Sequence, residues 1–134
     1  MTTTSGIDPF CKPNIERAAL GVLITRYADS KNLISRLSED AFIMPTYRAI
    51  YRRIQKLHAA GKAVDLAIML DDLNLDSASI IDVSKEGYAS MMSEYVAELI
   101  EAQQRRELLE FSKRLRDDCA TGEISEVLAR MRTF

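Results

Sequence analysis

Residues 39–66 read EDAFIMPTYRAIYRRIQKLHAAGKAVDL, a helix whose start, apolar stripe and stop are all written into it. Pro45 suits a first helical turn, where a missing N–H has no intrahelical partner. Tyr47, Ile50, Tyr51, Ile54 and Leu57 recur at spacings of three and four, which places them on one face. Gly61 supplies the left-handed conformation that ends such helices. Asp65 is a cap for a new helix from Leu66, its carboxylate accepting from first-turn N–H groups. Two helices joined this tightly, with an apolar stripe to cover, belong to a compact helical domain.

Upstream, residues 1–13 are small and polar and read as an N-terminal arm. A first helix is expected after Asn14, with Ile15, Ala18, Ala19, Val22 and Leu23 on one face and Glu16 near the positive end of its dipole. Gly21 falls in mid-helix, at a cost of about 1 kcal/mol relative to alanine, which close approach of a neighbouring helix would explain. A short helix is expected around Asn32–Leu37.

Downstream, Leu66, Met69, Leu70 and Leu73 keep a helical period until Asn74–Ser79 interrupts it. Ile80, Ile81 and Val83 fit either one helical turn or a brief extended piece. From Tyr88 to Ala120 there is neither proline nor glycine, and Thr121 and Gly122 follow as a terminator. An unbroken helix of that length spans about 50 Å, more than a domain of this size needs to cover its core, so part of it is expected to project. Tyr95, Val96, Leu99 and Ile100 form one apolar patch along it, and Leu108, Phe111, Leu115 and Cys119 another. A last helix from Ile124 carries Ile124, Val127, Leu128 and Met131 on one stripe, so it can fold back as a hairpin.

The expected architecture is all-α: an arm at 1–13, a globular head at 14–87 and a protruding helical hairpin at 88–134 of the same domain. An apolar stripe on a projecting hairpin is costly in water unless another chain covers it. Leu99, Leu108, Phe111, Leu115, Val127 and Leu128 are therefore the candidate self-association residues.

Composition narrows the function. With 18 basic and 20 acidic residues the net charge is −2, which argues against strong general affinity for phosphate backbones. Cys11 and Cys119, with His58 the only histidine, make neither a disulfide framework nor a zinc spacing. No apolar run reaches the roughly 18 residues that span a bilayer, and the start MTTTSGIDPF lacks a secretory pattern, so a cytoplasmic protein without membrane contact is expected. Gly61-Lys62 is not a phosphate loop: Lys56 stands five before Gly61, and Ala63 stands where the metal-binding hydroxyl belongs. His58 reads as a packed or capping residue, and the adjacent carboxylates Asp71-Asp72 and Asp117-Asp118 as solvated. No catalytic residue, metal site or cofactor site is expected. Arg48, Arg52 and Lys56 on one helix face, and Arg105 and Arg106 on the long helix, are candidate partner or DNA contacts, with a solvated face or an acidic protein patch preferred to nucleic acid.

In order, Glu16-Arg17-Ala18-Ala19-Leu20-Gly21, Asp40 with Phe42, Tyr47-Arg48-Ala49-Ile50-Tyr51 and Gly61-Lys62-Ala63-Val64-Asp65, followed by Tyr95, Leu99, Arg106 and Leu108, resemble the N-terminal domain of DnaB-type replicative helicases. Tyr47 replaces the family's usual histidine, and the stretch from Asp65 to Tyr95 is shorter than usual. The resemblance covers about Ile15 to Phe134. It implies a non-catalytic collar: hairpins pair two subunits, three pairs make a hexamer, and the collar docks primase or a helicase loader in a bacterial or phage-encoded replication system. It also implies a parent polypeptide continuing past Phe134 into a motor that holds ATP and magnesium. Two other readings stay open, a free-standing helicase- or primase-binding adaptor or inhibitor from a mobile element, and a helical nucleic-acid-binding module.

Overall fold

The computed structural model describes residues 11–133, and every described element is helical. Residues 1–10 of the expected arm, and Phe134, lie outside the described residues. Seven α-helices follow one another: α1 (Pro13–Thr25), α2 (Tyr27–Ser30), α3 (Pro45–Ala59), α4 (Leu66–Leu70), α5 (Ser77–Ser84), α6 (Met92–Thr121) and α7 (Ile124–Thr133). Short 3-10 turns fill Lys31–Arg36, Glu39–Ala41 and Ala89–Met91.

The head is built around α1. Residues Ala18 to Ile24 are buried without a break, and a helix that is apolar all round belongs at the centre of its domain. It packs against α3, α5 and α6. Leu20 and Leu23 meet a core that includes Ile50, Ile54, Ile80, Val96 and Leu99. The helix begins at Pro13, with Lys12 as cap, and not after Asn14. A proline at the first helical position needs no N–H, and this outweighs the side-chain cap expected of Asn14.

The close approach expected at Gly21 is present. A Cβ built there would lie 2.1 Å from the Glu86 carbonyl oxygen and 2.3 Å from that of Val83. Gly87 closes the same seam from the other side: its φ is +84°, and a Cβ on it would sit 2.3 Å from the Ala18 carbonyl oxygen. The end of α5 thus lies directly on the backbone of α1.

The expected turn chemistry around α3 also holds. Pro45 opens the helix, and Gly61 has φ +72°. Behind it, Gly61 N–H donates to His58 and Lys62 N–H to Leu57, at 3.0 and 2.9 Å, the paired bonds of a Schellman closure. The Asp65 carboxylate accepts from Ile68 N–H at 2.8 Å. The segment with two readings, Ile80 to Val83, is helical within α5.

The head extends past the expected boundary at residue 87. Met92, Tyr95, Val96 and Leu99, all on the first part of α6, belong to its core. The core contacts of α6 end at Ala102, Gln103 and Arg106 still reach Ser38 and Asp40 of the head, and beyond them α6 runs out and α7 folds back on it. At 30 residues the whole helix is about 45 Å long.

Candidate functional site

The distal hairpin carries the largest concentration of uncovered apolar side chains. Gly122, with φ −98° and ψ 172°, leaves the helical path and stops α6. α7 starts two residues later. Val127 is buried against α6, and Arg130 pairs across the hairpin with the Asp118 carboxylate. Around this seam the stripe stays open: Leu108 is 56% exposed, Leu128 43%, Met131 52% and Ile124 76%. Phe111 and Leu115 are half-buried. A groove of about 300 Å³, lined by Cys119, Ile124, Val127, Leu128 and Met131 among others, runs along α7.

Leu99 does not belong to this surface. It is 1% exposed in the head core, because the inward face of α6 is still packed on α1 at that point. Leu109, 39% exposed, does belong to the uncovered set and was missed. Its signal is the Leu108-Leu109 pair, which on a helix too long for its head cannot bury both members inward.

The candidate basic residues are largely committed within the chain. Arg52 makes a fork to the Glu39 carboxylate at 2.8 and 3.1 Å, which holds that carboxyl below its usual range. Arg48 donates to the Phe42 carbonyl at 2.9 Å and to Asp40 at 3.2 Å. Arg106 donates to the Asp40 carbonyl at 2.8 Å. Arg105 pairs with Glu101 one turn back at 2.8 Å, lowering the glutamate's pKa. Lys56 is exposed beside a groove of about 850 Å³ that also carries Arg52, Arg53, Glu39, Asp71 and Asp72. A phosphate backbone arriving here would have to displace carboxylates already in place.

Segment 39–44 is therefore held from three sides. Arg48 and Arg52 reach it from α3, Arg106 from α6, and the buried Glu16 from α1. The Glu16 carboxylate accepts from Ile43 N–H at 3.1 Å and from Met44 N–H at 3.2 Å, satisfying two backbone donors ahead of α3. Phe42 packs inward and stacks on Tyr51, ring centroids 4.4 Å apart. The Tyr51 hydroxyl lies 3.1 Å from the Ile34 carbonyl oxygen and 2.8 Å from that of Leu37. These residues place a turn.

Burial holds the Glu16 carboxyl above its ordinary value of 4.5, against the opposing pull of the Ile43 and Met44 N–H donors, Arg106 and Cys11. A carboxyl raised by folding takes up its proton more readily in the folded chain. Its contribution is complete below the unfolded value and is lost as pH rises through the folded one. Wild type should therefore lose stability relative to Glu16→Gln as pH rises from about 4.5. Urea unfolding of both proteins across that range checks this, and a difference that stays flat or grows with pH would refute it. Glu39 and Glu101 have the opposite sign but are present in both proteins, so the comparison isolates Glu16.

Among the described residues no cluster of three or more His, Cys, Asp or Glu is placed to hold a metal, and no helix is long and apolar enough to cross a membrane.

The crystal structure of the N-terminal domain of DnaB helicase from Mycobacterium tuberculosis is similar, with a TM-score of 0.78 at 21% identity, over 93% of this chain and 96% of that one. At that identity the likeness speaks for the fold alone. No curated protein matches significantly. Residues 8–113 match the family described as DnaB-like helicase N-terminal domain, a span that takes in the held turn, the Gly61–Asp65 link and the anchored part of α6. The chain belongs to the DnaB-like helicase N-terminal domain family.

Proposed function

We propose that this domain works by contact: its hairpin pairs with that of a second copy, pairs assemble further into a collar as a trimer of dimers, and the collar docks primase or a helicase loader during DNA replication. In this reading the chain needs no cofactor of its own, works in the cytoplasm, and touches DNA weakly or only through the rest of the helicase. ATP and magnesium belong to a motor elsewhere in the parent protein. The observation that supports the reading best is the uncovered stripe of Leu108, Leu128 and Met131 on a hairpin that extends beyond the head core. A twofold pairing of two such hairpins would bury it, as isologous interfaces do.

Light scattering coupled to size exclusion tests the pairing. Wild type is expected as a dimer or larger. Leu108→Asp with Leu128→Asp should weaken it at least 100-fold, since burying each leucine is worth about 1.5–3 kcal/mol. Both side chains are exposed in the single chain, so the helical signal and melting of the monomer should be retained. A wild type that stays monomeric at high concentration would remove the pairing. Calorimetry with the helicase-interaction domain of a cognate primase tests docking; absence of heat would leave only the collar role.

A further inference from the structure

A second cleft lies on the head, away from the hairpin. It holds about 520 Å³ between the α2 end of the fold and the close of α3, lined by Tyr27, Lys31, Asn32, Ser35, His58 and Lys62 together with Ala28, Gly61 and Ala63. Its only charged side chains are the two lysines, and neither is in an ion pair among the described residues. The larger groove beside Lys56 is different, because its arginines are matched by carboxylates: Arg52 to Glu39 at 2.8 Å and Arg53 to Asp72 at 3.4 Å.

Local chemistry explains how the cleft is formed. The left-handed Gly61 turns the chain out of α3 and carries Lys62 to one wall. Lys31 comes from the first residue of the 3-10 turn on the other. Between them the Tyr27 hydroxyl and His58 Nδ1 are 2.6 Å apart, with the rings edge to face at 5.9 Å, so both rings are fixed. Tyr27, Ala28 and Ala63 add apolar surface.

The absent features narrow the ligand. No arginine fork lines the cleft, so a compact phosphate dianion finds no bidentate partner in it. Single carboxylates spaced along a chain need no fork, each pairing with its own lysine. We propose that this cleft docks an acidic segment of a partner protein, its carboxylates on Lys31 and Lys62 and an apolar side chain between them against Tyr27. The proposal does not depend on hairpin pairing.

The test is an NMR titration of the ¹⁵N-labelled chain with the peptide acetyl-Glu-Glu-Leu-Glu-Glu-amide, and separately with inorganic phosphate at matched ionic strength. The expected result is saturable shifts centred on Tyr27, Lys31, His58 and Lys62, weakened about tenfold or more in the double variant Lys31→Glu, Lys62→Glu and unchanged in Lys85→Glu. Binding should fall several-fold as salt rises from about 0.05 to 0.5 M. Both cleft lysines are exposed, and an unchanged circular dichroism spectrum verifies that the variant is folded. Shifts spread evenly over surface lysines, no saturation, or phosphate binding as tightly as the peptide would each overturn the proposal. Light scattering on the same samples reports hairpin pairing separately, so failure of one reading leaves the other standing.

Discussion

Phe42→Ala is expected to lower the unfolding free energy by about 3–5 kcal/mol, a large share of the 5–15 kcal/mol typical of a domain. Phe42 is 0% exposed and stacks on Tyr51 with ring planes 28° apart. Removing it opens a void beside a tyrosine whose hydroxyl is tied to two backbone carbonyls, so that ring cannot slide in to fill the space. The backbone of segment 39–44 is held by Glu16, Arg48 and Arg106, so it cannot collapse inward either. Incomplete collapse places the cost at the upper end of the range. Urea unfolding followed by circular dichroism measures it, and Phe42→Leu should recover most of the loss. A cost below about 1 kcal/mol would show that the turn can repack.

Gly21→Ala should be destabilising by about 3 kcal/mol, the reverse of the usual rule. In an exposed helix interior this substitution gains about 1 kcal/mol through backbone entropy. Here the added methyl would fall 2.1 Å and 2.3 Å from two carbonyl oxygens of the backbone, which cannot rotate away as a side chain would. The end of α5 must retreat from α1 and open the seam. For a chain of this length the melting temperature should fall by roughly 10 °C. A melting temperature equal to or above that of wild type would mean that α5 is not seated as described.

The sequence signals that proved readable are local ones. Pro45, Gly61 and Asp65 act through their own dihedrals or through N–H groups three residues away, so α3 and its junction with α4 can be read from a single chain. Gly21 was readable for a different reason: a glycine amid Ala18, Ala19, Leu20, Val22 and Leu23 makes sense only if something lies close. What a single sequence does not show involves partners distant along the chain. Glu16 lies in the first turn of α1 as expected, but its neighbours do not reveal that it also accepts from the N–H groups of Ile43 and Met44. Arg48 and Arg52 share a helix face as expected, but periodicity says nothing of Glu39 and Asp40 folding over to meet them. Leu99 and Leu108 lie on the same long helix. Which of them meets the head depends on where α1 ends in space, and Pro13–Thr25 covers only the first part of α6. The acidic partners of the arginines and the limit of the head on α6 are properties of packing, and only the fold reveals them.

The unbroken α6 has a mechanical consequence. Its first part is fixed among Leu20, Leu23 and Ile80 in the core, and its remainder carries the hairpin, with no glycine or proline between Met92 and Thr121 to act as a joint. Such a rod is a lever: torque applied at Leu108, on α6 itself, reaches the head through helix alone. Two copies locked at their tips would have their heads set at a fixed angle, and any force that turned one head would be felt by the other.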